Sequence, residues 1–261
     1  MNEYPHLIIH KGEKRITSVD NWFLHAPPKS GEKHWVDGRS AKELAKAWAS
    51  GASPKVPVEL EQLLASSSEF RGTVLTLGTP EMSIPLDNFR GETRNADMVL
   101  WGFRRKEKII ITVEAKADEA FGDPIEKKLA SVKGDASKIP ERVALLAESM
   151  LGIDGPDDQR LWSLKYQLLH ASAATLIAAN ENRADKALFL IHEFETDKTT
   201  LENMKRNQED LDYFVRLLSR KQVEKLSTGA IIGPFEVPGS RFINSDIGLY
   251  IGKIRTTLKK T

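Results

Sequence analysis

Ile109-Ile110-Ile111-Thr112-Val113-Glu114-Ala115-Lys116 is the stretch on which the fold turns. Ile109 to Val113 is an unbroken β-branched run, the composition of a strand buried on both faces. It ends abruptly in a carboxylate, a small residue and an amine. Side chains two apart on a strand share a face, so Glu114 and Lys116 project together and Ala115 points the other way. Charges at the end of an apolar strand must be solvated, paired or ligated, because burying them bare is costly.

Working outward, Asp97 to Phe103 reads as the preceding strand, joined by the charged turn Arg104-Arg105-Lys106-Glu107. Folding back at that turn brings Asp97 near Glu114. Two carboxylates at such a point suit a hard cation, Mg²⁺ or Mn²⁺. A metal there can lower the pKa of a bound water and hold a phosphoryl oxygen, while a neighbouring lysine orients the water and offsets developing charge. Phosphodiester hydrolysis needs this combination. The competing account is a surface hairpin carrying an ion pair. An E-x-K alone says little; one that ends a β-branched strand with an Asp-led strand at hairpin distance says much more.

Upstream, Thr73–Leu77 and Met82–Leu86 read as two strands separated by Gly78 and Pro80. Before them, Ser40-Ala41-Lys42-Glu43 has the form of a capping box, followed by an apolar stripe at Ala41, Leu44, Ala45 and Trp48. Gly51 is its stop, and a second helix starts near Pro57 with Leu60, Leu63 and Leu64 on one side. Leu7-Ile8-Ile9 and Trp22-Phe23-Leu24 look like short strands or buried turns. Downstream, helices are expected over Pro124–Lys133 and Pro140–Leu151. A long, widely apolar helix is expected over Gln159–Asn180, then a buried strand at Ala187–Ile191 and a helix capped by Asn207. The C-terminal part holds turns, with a short strand within Gly229–Gly233 and another at Leu249–Ile254. This order predicts an α/β (α+β) sandwich with a central mixed β-sheet flanked by helices.

Asn95-Ala96-Asp97 and Glu114-Ala115-Lys116 together resemble the motifs of the PD-(D/E)XK phosphodiesterase superfamily, the restriction-endonuclease-like fold. Ala96 departs from the family's Pro-Asp but leaves the acid in place. The resemblance covers about residues 56–195. It divides the chain into an N-terminal extension packed on the core (1–55), the nuclease-like core (56–195) and a C-terminal addition (196–261). It implies Asp97 and Glu114 as ligands of Mg²⁺ (or Mn²⁺), Lys116 as the catalytic lysine, and nucleic acid, DNA first, as partner. Restriction, repair or phage defence are the settings it suggests. A homodimer would suit double-strand cleavage. The rival reading keeps the fold but not the cutting: a nucleic-acid-binding module or scaffold subunit.

Other candidates rank lower. Glu59 and Glu61 flank the second helix and are read as either a further acid or solvated flank residues. Glu81 is read as either a further acidic ligand or a turn residue, and Asp118 and Glu119 as capping or solvated groups with Asp118 a possible extra metal oxygen. Tyr166-Gln167 lies on the long helix, where Gln167 is expected to point to the Glu114 strand end and orient Lys116 or a bound water. His192, in His192-Glu193, is read as a satisfied core or edge histidine before a phosphate contact. His6, His10, His25 and His34 show no metal-ligand spacing.

Bulk properties narrow the remaining classes. The 261 residues are 40% hydrophobic, enough for one sizeable core, and contain no cysteine, which excludes disulfides, Cys-type zinc sites and a thiol nucleophile. Thirty-eight basic and 37 acidic residues leave a net charge of +1, so sequence-blind nucleic-acid binding through bulk charge is not expected. The clusters at Arg104–Lys108 and at Lys259-Lys260 read as solvated turn and tail. No stretch approaches the roughly 18 apolar residues of a membrane span, and no signal peptide is read at the start, which predicts a cytoplasmic protein with no membrane partner. There is no P-loop, nucleophile elbow or dinucleotide fingerprint.

Overall fold

The structure is a computed structural model that describes residues 7–89, 94–133 and 137–258. His6, Lys259 and Lys260 lie outside the described residues. In chain order the elements begin with strands β1 (Ile8–Lys11) and β2 (Lys14–Ile16), helix α1 (Val19–His25), a 3-10 turn at Gly31–Lys33, and helices α2 (Ser40–Ala49) and α3 (Val58–Ser66). A meander follows: β3 (Val74–Ile84), β4 (Arg94–Arg104) and β5 (Glu107–Lys116). Then come helices α4 (Ile125–Ala130), α5 (Ile139–Leu151), α6 (Gln159–Trp162) and α7 (Tyr166–Glu181). Strand β6 (Lys186–Glu195), helix α8 (Leu201–Leu218) and strands β7 (Ala230–Phe235) and β8 (Gly248–Thr257) complete the chain.

The strands form one mixed sheet in the order β2-β1-β3-β4-β5-β6-β8-β7. The β3–β4–β5 meander is antiparallel, whereas β5, β6 and β8 run parallel. Segments 1–55 and 196–261 each add strands to the sheet built by the middle of the chain. Helices α5, α7 and α8 cover one face; α2 and α3 cover the other. The fold is thus the α/β sandwich that the periodicities predict.

β5 shows why the sheet is double-faced. Ile109, Ile111, Val113 and Ala115 enter the core under α2 and α3, while Ile110 enters the core under α7. Full burial of each aliphatic side chain contributes roughly 1.5–3 kcal/mol. Thr112 also faces α7, where its hydroxyl meets that of Thr175 at 2.5 Å. Two steps further along the same face stand Glu114 and Lys116.

Several local expectations give way to tertiary structure. The two strands expected at Thr73–Leu77 and Met82–Leu86 are one strand, β3. Gly78 runs straight through it because it is paired on both sides, with Ile9 of β1 and Leu100 of β4. Pro80 lies past the residues that pair with β1, an edge position where proline is tolerated. Trp22-Phe23-Leu24 is helical: Ser18 caps α1 by accepting the amide hydrogen of Asn21 at 3.1 Å. The capping box at Ser40 does not form. Ser40 instead donates to Glu119 Oε1 (2.7 Å), and Glu43 accepts the Gly38 amide (2.7 Å). α8 starts at Thr200, not Asn207, whose buried amide donates to the Glu119 carbonyl at 2.8 Å.

The break in the long apolar helix matters most. The expected Gln159–Asn180 helix is α6 and α7, separated at residues 163–165. The Leu164 carbonyl accepts the Ile125 amide at 2.9 Å, and the Asp123 carbonyl accepts that of Tyr166 at 3.3 Å. These bonds to the start of α4 replace helical ones, so Tyr166 and Gln167 open a helix instead of sitting in its middle.

Candidate active site

The β4–β5 ladder and the start of α7 bring four residues together: Asp97, Glu114, Lys116 and Gln167. Glu114 is their hub. Its Oε1 accepts from Lys116 Nζ at 2.8 Å and from Gln167 Nε2 at 2.7 Å. Lys116 Nζ also donates to Gln167 Oε1 at 3.1 Å, closing a three-membered ring of contacts. The Phe121 ring lies beneath the ammonium, 5.3 Å from centroid to Nζ. Asp97 Oδ2 accepts the Ala115 amide at 2.7 Å, which ties the end of β4 to β5 beyond their last paired residues. The Glu114 oxygen left over, Oε2, is taken by the guanidinium of Arg94.

Burial decides the electrostatics. Glu114 is 1% exposed and Lys116 6%, so neither charge is hydrated and each depends on the other. Burial alone would raise the Glu114 carboxyl, but Arg94 and Lys116 outweigh it and hold it below the usual carboxylate range. Asp97 lacks such close cations. Burial and then the Glu114 charge push it up to about 7, against the weaker pull of Arg94 and Lys116. Glu81 is pushed up to about 8, again by burial first and Asp97 second. It stands across from Asp97, between the Pro80–Met98 and Met82–Ala96 pairs, with φ at 49°, a left-handed conformation unusual inside a strand. Lys11 fastens this kink by donating to the Pro80 and Glu81 carbonyls at 3.1 and 2.6 Å. Of its two readings, Glu81 is therefore placed in the cleft and not in a turn between strands.

His170, one turn along α7 from Tyr166, completes the wall. Its Nδ1 lies 2.7 Å from the Tyr166 carbonyl, which can only accept, so Nδ1 carries the hydrogen and Nε2 the lone pair. The imidazole stacks on the Tyr166 ring at 4.7 Å. Burial, then Arg94, push it down to about 3, which keeps it neutral.

These residues line a cleft with two lobes. One, about 490 Å³, contains Glu114, Lys116 and Gln167. The other, about 580 Å³, runs between the sheet and the segment around α1 and the 3-10 turn. Arg94, Asp97, Tyr166 and His170 border both.

The donor set suits a hard divalent cation in one respect and limits it in another. Asp97 and Glu114 supply hard oxygens, and the Asp97 carboxyl is raised first by burial and second by the neighbouring Glu114 charge. Among the described residues, no group of three or more His, Asp or Glu side chains is placed to hold one ion. Asp97 and Glu114 would hold such an ion only with Arg94 displaced from Glu114 Oε2, because the other Glu114 oxygen already accepts from Lys116 and Gln167.

The remaining candidates fall elsewhere. Glu59 and Glu61 ride on α3, which packs on β7 and β8 from the face opposite Glu114. Asp118 turns to Arg39 at 3.4 Å, and Glu119 is used by Ser40 and by the Ala117 amide. His192 lies against Phe194, its Nε2 2.9 Å from the Thr256 hydroxyl, and Glu193 pairs with Lys253 and Arg255. His10 lies on β1 beside Thr79, 3.3 Å from its hydroxyl, and His25 ends α1. His34 does line the cleft. Sequence reading missed Arg94 and His170. Arg94 belongs to no motif; His170 would have been found at i+4 from Tyr166 had the helix been started there.

A family model described as a domain of unknown function, DUF6946, matches residues 15–258. No curated protein and no solved structure matches the chain.

Proposed function

We propose that this chain, which belongs to the DUF6946 family, is a metal-dependent phosphodiesterase that cleaves nucleic acid, with DNA as the first substrate to test. One observation carries the reading: Lys116 and Gln167 converge on the same oxygen of a buried Glu114, beside Asp97, at the floor of an open cleft.

Asp97 and Glu114 would hold Mg²⁺ or Mn²⁺. When bound, the ion supplies an acidified water and charge neutralisation at a phosphoryl oxygen. The chain's own residues do the rest. Lys116 Nζ is held by Glu114 and Gln167 with one hydrogen left to give, and donates it to the attacking water or to a phosphoryl oxygen as charge develops there. Gln167 fixes the direction of that hydrogen. His170 Nε2 offers a neutral acceptor on the cleft wall. Arg94 provides a guanidinium suited to a phosphate oxygen pair. No helix among the described residues is long and apolar enough to cross a membrane, and a cytoplasmic location is part of the proposal.

A specific contact favours the rival reading, a non-cleaving nucleic-acid-binding or scaffold subunit. With Arg94 on Glu114, the cluster is balanced without a cation. The two are separated by incubating the purified protein with plasmid, linear and single-stranded DNA in Mg²⁺, Mn²⁺ or EDTA. Cleavage of at least one of these forms in either metal and none in EDTA is expected; all forms intact under all three conditions, with Mn²⁺ not bound in a calorimetric titration, would leave the binding module.

A further inference from the structure

The lobe of about 580 Å³ has two unlike walls. The sheet side carries Asp97 and Arg94. The opposite side is built by the chain between α1 and α2 and presents Lys29, His34 and Trp35. Trp35 is half-buried: its indole leans on Phe23, 5.0 Å between centroids and tilted by 34°, and packs on the core under α2. It is therefore propped in place while still bordering the cavity. Lys29 and His34 are exposed, and among the described residues their side chains take part in no hydrogen bond or ion pair. An aromatic face held rigid beside unpaired cationic and polar groups is how unpaired nucleotides are bound: bases stack on the ring and phosphates follow the positive groups.

Size and depth point the same way. The volume falls within the roughly 300–1,000 Å³ of pockets that enclose one small ligand. A duplex is a stiff rod, with a persistence length of about 50 nm, and its phosphates lie on its outside. Glu114 and Lys116 are 1% and 6% exposed. That depth favours a strand that leaves the duplex and enters the cleft, as substrates of base-extruding enzymes do.

We propose that the α1–α2 segment is a nucleotide-binding wall, with Trp35 as its stacking platform and Lys29 and His34 as its phosphate contacts, and that the substrate is an unpaired strand and not intact duplex. This rests on the phosphodiesterase reading for the identity of the ligand but is tested by binding alone.

The experiment is fluorescence anisotropy with a labelled single-stranded DNA, the same sequence as RNA, and the blunt DNA duplex, using the full chain in Ca²⁺ in place of Mg²⁺. Single strands are expected to bind more tightly than duplex, and the DNA and RNA arms identify which sugar is preferred. Trp35→Ala should weaken single-strand binding by about tenfold, the scale of one lost stacking contact, while Trp35→Phe retains most of it. Lys29→Ala, at an exposed position that cannot disturb the core, should lower the salt dependence of binding by about one phosphate contact. Equal or tighter duplex binding, no binding of any strand, or Trp35→Ala and Lys29→Ala proteins that bind as wild type would overturn the proposal. Single-strand binding that depends on Trp35 in a protein that never cleaves would overturn the nuclease reading and leave this wall standing.

Discussion

Replacing Gln167 by alanine removes two contacts and nothing else of size. Its amide donates to Glu114 Oε1 at 2.7 Å and accepts from Lys116 Nζ at 3.1 Å. Hydrogen bonds to charged groups are worth about 1.5–3 kcal/mol each, yet neither charge is stranded by the change. Glu114 keeps Lys116 and Arg94; Lys116 keeps Glu114 and the Phe121 face. The loss of stability should therefore sit near one such bond, and at about 2–4 °C per kcal/mol for a chain of this size the Tm falls by a few degrees. The effect on turnover is larger, because Lys116 Nζ loses the contact that fixes its direction. A drop of about 10–100-fold is expected, the usual scale for losing a residue that orients a metal site. Single-turnover cleavage under saturating substrate reads it, with calorimetric Mn²⁺ affinity measured in parallel and expected to change little. Gln167→Glu keeps the acceptor for Lys116 but loses the donor and sets a second carboxylate against Glu114, so it should not rescue. Wild-type turnover in Gln167→Ala would refute the reasoning, since the ring of contacts would then be packing only.

Lys116→Ala should abolish cleavage while Mn²⁺ still binds, whereas Asp97→Asn and Glu114→Gln should lose both; metal titration of all three, alongside cleavage, separates the roles. Arg94→Ala frees Glu114 Oε2, so Mn²⁺ should bind about tenfold more tightly, a gain of ~1.4 kcal/mol, and unchanged affinity would mean that Arg94 and the ion do not compete. For Asp97 the sign runs downward with pH. Its folded carboxyl is raised to about 7 from an unfolded value near 4, so the metal-free native state holds a proton that the unfolded chain has lost. Stability in EDTA should fall from about pH 4 to pH 7, Asp97→Asn should flatten that fall, and cleavage should rise through about pH 7. A melting temperature in EDTA that is identical for the two proteins across this range would count against the raised Asp97 carboxyl.

The core of this fold was legible because β5 is written in one residue class. Ile109 to Val113 forces a strand, period 2 puts Glu114 and Lys116 on one face, and the turn before Glu107 returns Asp97 to them. Those inferences need only local geometry. What failed needed partners distant in sequence. Nothing near Ser163 announces a helix break, because the break is made by backbone bonds to residues 123–125. Gly78 and Pro80 look like punctuation until their pairing with Leu100 and Met98 of β4 is seen. Glu81 reads as a turn residue for the same reason. Its left-handed φ sits in the middle of a strand, held by a lysine 70 positions earlier.

The placement of Gln167 shows how a wrong local reading and a right spatial one coexist. The sequence puts it mid-helix, where its amide would need a partner across the sheet. The structure puts it in the first turn of α7, and the partner is the one expected. The reason is the face, not the position: α7 buries an apolar stripe against β5, so a polar residue at its opening, beside the strand end, meets Glu114 and Lys116. Arg94 enters the same way. Glu114 is nearly solvent-free, Lys116 and Gln167 both use its Oε1, and Arg94 takes the second oxygen. In the proposed reaction a phosphate and a divalent ion arrive together. The phosphate gives the guanidinium another anion and the ion gives Glu114 another cation, so each lowers the cost of binding the other. Arg94 is thus the link that would make metal and substrate binding mutually dependent in a site otherwise complete without either.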